Sequence, residues 1–221
     1  MGGAMKQFAV GAAFLMFISS MSADATNDHS ISLVQAPQVQ KVAFMKSFGD
    51  TLPPIGYVTF CREHQADCRP GPRFADRIQL SPAKFRELDQ VNTAVNTAVT
   101  PVTDLDHYGV AELWAYPDDN KGDCEDYVLQ KRRLLIERGL PASALLITVV
   151  RDENNEGHAV LTVRTDAGDF VLDNKRRDIV RWADTPYTFI KRQSERNPLV
   201  WISLLPPEIA PQTTVSASNS H

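Results

Sequence analysis

The chain lacks the features that mark several common classes of protein. Its 221 residues carry 23 Lys and Arg against 27 Asp and Glu, a formal net charge of −4, and the basic residues form no stripe of the kind that nucleic-acid-binding domains present. There is no internal repeat, and beyond the first 25 residues no apolar run approaches the roughly 20 residues that cross a bilayer. We therefore expect a single globular domain with no nucleic-acid partner and at most a peripheral contact with a membrane.

Cysteine is scarce, with three residues in the chain, Cys61, Cys68 and Cys124. No Cys-x-x-Cys motif of thiol–disulfide exchange is present, and no Cys/His pair has the spacing of a zinc site. Because neighbouring thiols pair in an oxidising compartment, we expect a disulfide between Cys61 and Cys68. Cys124 is then left over, and an unpaired cysteine in an exported protein indicates a reactive thiol or an intermolecular bond.

The first 25 residues have the layout of a secretory signal peptide. Lys6 gives a positive start, residues 8–18 form an apolar run, and Ala-Asp-Ala at 23–25 fits a small-x-small cleavage site. An uncleaved anchor helix is the alternative, although the apolar run is short for a membrane span. No cysteine follows the run, so the pattern of a lipoprotein is missing. We expect cleavage near Ala25 and export to the periplasm.

The rest of the chain divides into three parts. Residues 26–50 carry few periodic signals and are expected to form a flexible lead-in, while residues 51–205 carry the helical and strand patterns of one domain. Residues 206–221 are rich in Pro, Ser and Thr with little apolar content, which predicts a disordered tail.

Two helices and a set of strands are predicted within residues 51–205. The first helix begins at Ser81-Pro82, with Ser as N-cap and Pro at the first helical position, and the second begins at Asp123 and ends at Gly139. The pattern over residues 52–57 indicates a turn. This order predicts an α+β fold with helices packed on an antiparallel sheet. The main strand segments that follow the second helix are 145–150, 158–165 and 170–173.

Cys124 is predicted to lie in the first turn of the second helix. Free backbone N–H groups and the helix dipole at that position favour a thiolate, which is the nucleophilic form. Asp123, Glu125 and Asp126 oppose this effect, because nearby negative charge raises the pKa of a thiol. A neighbouring imidazolium or a bound cation is needed to offset them.

His158 and Asp173 are predicted to meet across a hairpin. If apolar residues face apolar residues, Ala159 lies opposite Leu172, and His158 then lies opposite Asp173 at a Cβ separation of about 5 Å. A slip of one residue would turn the apolar residues of one strand to the wrong face. The pattern predicts a triad in which Cys124 attacks a carbonyl carbon, His158 transfers the proton and Asp173 orients the imidazole.

Acidic residues are dense between positions 118 and 126, which suits the hard oxygen chemistry of Ca²⁺. The spacing is not that of an EF-hand loop, and from density alone a solvated acidic loop explains these residues equally well.

Three motifs of the chain resemble those of the bacterial transglutaminase-like cysteine proteinases, of which the LapG-type periplasmic proteases are the best known. The resemblance covers roughly residues 52–203. The motifs are Gly-Asp-Cys-Glu-Asp-Tyr at 122–127, Gly-His-Ala-Val-Leu at 157–161 and Val-Leu-Asp-Asn at 171–174.

The resemblance implies a papain-like α+β core with the nucleophile at a helix N-terminus and with Cys124, His158 and Asp173 as the triad. It implies dependence on Ca²⁺, with Asp123, Glu125 and Asp126 as ligands, and no organic cofactor. LapG-type members cut large surface adhesins and so release cells from biofilms. An inner-membrane receptor that senses cyclic di-GMP sequesters these proteases. A protein substrate is therefore expected, with an adhesin and such a receptor as candidate partners.

Two other functions remain open at this point. The same triad serves a transglutaminase or deamidase that acts on glutamine side chains, because the first step is the same thioester chemistry. A non-catalytic calcium-binding interaction module would keep the acidic loop without any need for His158 or Asp173.

Overall fold

The structure, a computed structural model, describes residues 43–209. The predicted signal peptide over residues 1–25 lies outside this range, as do residues 26–42 of the predicted lead-in and residues 210–221 of the predicted tail. Within residues 43–209, no helix combines the length and the apolar character that crossing a membrane requires.

A seven-stranded antiparallel sheet is the centre of the described chain. Its strands are β1 (Asp50–Thr51), β4 (Leu145–Arg151), β5 (Gly157–Thr165), β6 (Gly168–Leu172), β7 (Val180–Arg181), β8 (Thr188–Gln193) and β9 (Trp201–Ser203). They are ordered β1-β9-β8-β4-β5-β6-β7, so that the first and last of them pair at one edge. A separate parallel pair consists of β2 (Thr100–Pro101) and β3 (Lys121–Gly122).

Four helices are present in the described range: α1 (Ile55–Glu63), α2 (Pro82–Ala98), α3 (Asp104–Tyr108) and α4 (Cys124–Glu137). The two predicted helices are confirmed as α2 and α4. The Ser81 hydroxyl accepts the Lys84 N–H at 3.1 Å, as expected of an N-cap. The predicted turn at 52–57 is wrong from Ile55 onward, because α1 begins there and buries one face through residues that include Tyr57 and Phe60.

The main core lies between the helices and one face of the sheet. Burial of each large aliphatic side chain stabilises the fold by about 1.5–3 kcal/mol, so this layer holds α2 and α4 against the central strands. Its fully buried members include Leu88, Val91, Val95, Val128, Leu135, Leu145, Ile147, Leu161, Val163 and Leu172. The α+β prediction, with helices on an antiparallel sheet, is confirmed.

The end of the predicted flexible lead-in packs against the sheet. Met45 is buried, its N–H donates to Asp169 Oδ2 at 2.8 Å, and the Asp169 N–H donates to the Ala43 carbonyl at 2.9 Å. Met45 belongs to a second apolar cluster on the sheet, and β1 adds a strand at the edge. Residues 43–50 therefore differ from the expected flexible lead-in. Backbone hydrogen bonds and the buried side chain of Met45 hold them on the sheet, although their sequence shows little periodicity.

The β5–β6 register differs by two residues from the predicted one. Leu161 pairs with Leu172, where the prediction paired Ala159 with Leu172. The turn is Asp166-Ala167, and the Thr165 hydroxyl fixes it by accepting the Ala167 N–H at 3.1 Å and donating to the Gly168 carbonyl at 2.7 Å. A shift of two residues keeps every side chain on its predicted face, since the side-chain period of a strand is two.

Cys61 and Cys68 form the predicted disulfide, with their Cα atoms 5.7 Å apart. The bond joins the last turn of α1 to the segment that follows it, and Cys68 is buried. Cys124 is left as the free cysteine.

We expect a Cys61→Ala/Cys68→Ala variant to lose about 2 kcal/mol of unfolding free energy, because the cross-link that restricts the unfolded chain is removed. Urea unfolding of the oxidised protein and the variant measures the difference. Wild-type protein unfolded in a reducing agent is the control and should match the variant. Equal midpoints for the oxidised protein and the variant would show that the bond does not contribute to stability.

Candidate active site

Cys124 is the first residue of α4, with Asp123 as the N-cap. Its side chain is partly buried, and its Sγ–H donates to Glu125 Oε2 at 3.2 Å. Backbone N–H groups at the start of a helix have no intrahelical partner and favour negative charge nearby. The helix therefore presents the thiol where a thiolate and an oxyanion gain most from the backbone.

The pKa of the Cys124 thiol is nevertheless raised well above its usual value. Burial is the largest cause, and the carboxylates of Glu125 and Asp123 add to it by charge repulsion, while the Ala159 N–H has a smaller opposite effect. Without a compensating positive charge, this cysteine remains a neutral thiol.

His158 and Asp173 form a buried hydrogen-bonded pair. His158 Nε2 lies 2.9 Å from Asp173 Oδ1, and the two residues are 3% and 1% exposed. Because the register is shifted by two residues, they meet diagonally beyond the end of the β5–β6 ladder, within reach for a long side chain. The hydrogen bond occupies Nε2 and leaves Nδ1 as the second ring nitrogen of His158.

Asp173 is held by two further donors. The Tyr187 hydroxyl donates to Oδ2 at 2.6 Å, and the Lys175 N–H donates to Oδ1 at 3.0 Å. Burial alone would raise the pKa of Asp173, but the hydrogen bond and charge of His158, together with these donors, lower it below its ordinary value. The carboxylate is therefore ionised and oriented toward the imidazole.

Cys124 and His158 line two adjoining clefts, and both clefts also include Asp123 and Gly157. A Cβ on Gly157 would meet no atom within 4 Å, so this rim is open to an approaching chain. One cleft continues along Pro101, Val102, Thr103, Asp106, Asn174 and Lys175. The other continues along Pro54, Glu112, Trp114, Glu125, Val149, Ala159 and Lys191.

Five carboxylates gather beside the thiol, from Asp104, Glu112, Asp123, Glu125 and Asp126. Their oxygens form two overlapping groups of three within 4.8 Å, Asp104 with Glu112 and Glu125, and Asp104 with Asp123 and Asp126; a third group joins Cys124 Sγ to Asp123 and Glu125. Asp104 is the first residue of α3, and Glu112 lies in the loop that follows α3. Neither residue could be predicted as part of the cluster, because both are separated in sequence from the acidic run around Cys124.

Three of these carboxylates present buried oxygens with no hydrogen-bond partner among the described residues: Asp104 Oδ1, Asp123 Oδ1 and Glu125 Oε1. Buried acceptors are costly when unpaired, and three carboxylate oxygens without a protein partner in one cluster form a donor set that fits a cation.

Asp126 differs from the other acids because both of its oxygens are already used. Oδ1 accepts the Ala115 N–H at 2.8 Å, and Oδ2 accepts the Asp123 N–H at 3.4 Å, which is one half of a capping box. A Cβ on Gly122 would lie 2.5 Å from Asp126 Oδ2, so glycine is required there. Asp126 therefore fastens the start of α4 to the preceding loop.

The cluster carries uncompensated negative charge. Burial, and after it the close carboxylate of Asp123, raise the pKa of Glu125 to about 10. Burial is also the main cause that raises the pKa of Asp126 to about 7. Both directions express the cost of burying several carboxylates together without a cation.

A family model of the bacterial transglutaminase-like cysteine proteinases (BTLCP) matches residues 47–208 of the chain. The chain belongs to this family. It is thus a cysteine peptidase with a transglutaminase-like fold, as the motifs around Cys124, His158 and Asp173 indicate.

The chain is also similar to two solved structures of the same protein. Legionella pneumophila LapG shares 23% sequence identity over 56% of this chain and 69% of its own, with a TM-score of 0.46. Calcium-bound Legionella pneumophila LapG shares 22% identity over 63% of this chain and 77% of its own, with a TM-score of 0.47. No curated protein matches the chain.

In this BTLCP-family peptidase, two acids of the predicted run lie outside the buried cluster, and one residue beside Asp173 was not predicted. Asp118 and Asp119, part of the predicted acidic run, pair with Arg133 at 3.4 Å and His107 at 2.8 Å rather than joining the buried cluster. Tyr187 was not found from sequence, because no spacing connects it with Asp173.

We expect the stability of the metal-free peptidase to fall as pH rises from about 4 to about 7. Asp126 has a folded pKa of about 7 against an ordinary value of 3.8, so over this range the folded state holds a proton that the unfolded state has released. Protonation therefore favours the folded state at the acid end, and the advantage is lost toward pH 7. Thermal unfolding in a chelating buffer at pH 5 and pH 7 measures this difference.

A Glu125→Gln variant is the control for that measurement. The raised pKa of Glu125, about 10, means that it too retains a proton in the folded state over this interval. Glutamine has nearly the same size but does not titrate, so the fall in midpoint between the two pH values should become smaller. A midpoint of the metal-free wild type that rises over this interval would contradict the assignment of uncompensated charge to the cluster.

Proposed function

We propose that this protein is an exported, calcium-dependent cysteine endopeptidase with Cys124, His158 and Asp173 as its catalytic triad. The observation that carries the proposal is the buried 2.9 Å contact between His158 Nε2 and Asp173 Oδ1, at the rim of the clefts that Cys124 lines from the start of α4. Nucleophile, base and orienting carboxylate are the three roles that triad chemistry requires.

In the proposed reaction, His158 Nδ1 accepts the proton of the Cys124 thiol as sulfur attacks the carbonyl carbon of the peptide. The backbone N–H of Cys124 is one donor available to the oxyanion. The imidazolium then gives its proton to the leaving amine, and a thioester between the substrate acyl group and Sγ remains. Water, deprotonated by His158, hydrolyses the thioester and restores the thiol.

Asp173 stabilises the charged form of His158 and sets its tautomer. Because the low pKa of Asp173 keeps it ionised, the carboxylate accepts the Nε2–H bond throughout and leaves the lone pair of Nδ1 free to accept the thiol proton. Burial of both residues excludes water that would compete for the same hydrogen bond.

Calcium fits the acidic cluster on chemical grounds. Carboxylate oxygens are hard ligands, and the orphaned oxygens of Asp104, Asp123 and Glu125 would hold the ion, with Glu112 beside them. Asp126 would serve as the anchor of the helix start more than as a ligand, since its oxygens accept backbone N–H groups. A bound divalent cation supplies positive charge that offsets these carboxylates and so favours the nearby thiolate.

Export is supported by the predicted signal peptide at residues 1–25 and by the disulfide, because such bonds persist mainly in oxidising compartments such as the periplasm. For the substrate we propose a large cell-surface adhesin, and for the regulatory partner an inner-membrane receptor that senses cyclic di-GMP. Both rest on the resemblance of residues 122–127 and 157–161 to LapG-type proteases. Incubation with a large repeat-rich surface adhesin, with calcium and with a chelator, tests the proposed substrate.

We expect Cys124→Ala to abolish cleavage and Asp173→Asn to slow it at least about a hundredfold, because the asparagine holds the imidazole in the wrong tautomer. The assay incubates each variant, with calcium, with a pool of peptides of known sequence and identifies new N-termini by mass spectrometry. Isopeptide bonds or released ammonia in place of new N-termini would instead identify an acyl transferase or deamidase.

The Cys61→Ala/Cys68→Ala variant is the matched control, because it removes two sulfurs that lie outside both clefts. Assayed below its unfolding midpoint, it should cleave the pool at close to the wild-type rate. Full activity of Cys124→Ala would overturn the proposed mechanism.

We expect calcium to raise the thermal midpoint, by mass action on the folded state, and Glu125→Gln or Asp104→Asn to weaken its binding about tenfold or more. Titration calorimetry of the chelator-treated protein measures the affinity directly. Asp118→Asn is the control, since Asp118 is an acid of the same stretch that pairs with Arg133 outside the cluster. Equal affinity in all variants would remove the assigned ligands.

A further inference from the structure

Tyr187 contacts both polar members of the proposed triad. Its hydroxyl donates to Asp173 Oδ2 at 2.6 Å, and its ring meets the His158 imidazole edge to face, with centroids 5.6 Å apart and an interplanar angle of 76°. The residue lies in the connection between the Trp182–Asp184 turn and β8, 14 positions after Asp173.

The approach of Tyr187 is set by its own surroundings. The Thr185 hydroxyl donates to the Trp182 carbonyl at 2.7 Å, which fixes the turn that leads into Tyr187. The Tyr187 side chain also packs against the second apolar cluster of the sheet, which includes Val160 and Phe189. The ring is therefore held by packing, and the hydroxyl is directed at the carboxylate.

The two carboxylate oxygens of Asp173 accept hydrogen bonds from different donors. Oδ1 receives His158 Nε2 and the Lys175 N–H, whereas Oδ2 receives the Tyr187 hydroxyl. Asp173 is 1% exposed, so without that hydroxyl Oδ2 would be a buried acceptor with no hydrogen-bond donor among residues 43–209. Such an oxygen is costly, and rotation of the carboxylate toward another donor would relieve it at the expense of the bond to His158.

We propose that Tyr187 is a positioning residue of the proposed triad, whose hydroxyl locks the Asp173 carboxylate in the orientation that holds His158. The inference rests on the proposed roles of His158 and Asp173. Tyr187 acts through Asp173 and does not exchange protons with the substrate. Its ring covers His158 and limits the access of water to the buried pair.

Tyr187→Phe tests the role, because it removes the hydroxyl and keeps the ring. We expect cleavage of the peptide pool to slow about tenfold, the loss of one hydrogen bond to a charged group. We also expect the Nε2–H proton resonance of His158 to shift or broaden in the NMR spectrum, since it reports the bond to Asp173. A role in stability alone would not move that resonance.

Tyr127→Phe is the matched control. The Tyr127 hydroxyl also donates a 2.6 Å hydrogen bond, but its acceptor is the Val99 carbonyl and not a member of the His158–Asp173 pair. It should leave the His158 resonance in place and the cleavage rate within about twofold of wild type.

Two results would overturn the inference: wild-type cleavage and an unshifted His158 resonance in Tyr187→Phe, or equal changes in both tyrosine variants. Either result leaves the triad standing if Cys124→Ala is inactive. Conversely, activity of Cys124→Ala removes the proposed function, while the resonance still decides whether Tyr187 holds the pair.

Discussion

The burial of negative charge at the start of α4 is the constraint on which the rest of the site depends. Asp104, Asp123 and Glu125 are packed around a thiol whose useful form is itself an anion, and the described residues leave three of their oxygens without a partner. Burial of so many carboxylates side by side is costly unless a proton or a cation neutralises part of their charge. The same carboxylates that disfavour the thiolate are the ones able to attract a cation, so activation and metal occupancy belong to one electrostatic arrangement.

The imidazole–carboxylate pair depends on strand pairing and not on the helix. His158 begins β5 and Asp173 follows β6, so the hairpin brings them together before any contact with Cys124 is made. Cys124 is positioned independently of this hairpin, by the packing of α4 on the face of the sheet that carries the main core. In the proposed mechanism, the sheet therefore positions the groups that transfer the proton, and the acidic cluster beside α4 sets the pKa of the nucleophile.

Much of this arrangement could be predicted from sequence, and the remainder could not, for physical reasons. Ser81-Pro82 and Asp123 identify helix starts because capping is local, and Cys61 and Cys68 identify a disulfide because they are close in sequence. The hairpin register was wrong by two residues, since alternation fixes the face of a strand but not its alignment. Tyr187, Asp104 and Glu112 reach the site through tertiary packing, which leaves no periodic signal in the chain.

Pairing of β1 with β9 joins residues near the two ends of the described chain, Asp50 with Ile202. Contacts of such long sequence separation form only when both partners are free to meet. A chain that leaves a ribosome or an export channel N-terminus first cannot close this edge until nearly all of the domain has emerged. The sheet that carries His158 and Asp173 is thus completed only when nearly the whole of the described domain is available for strand pairing.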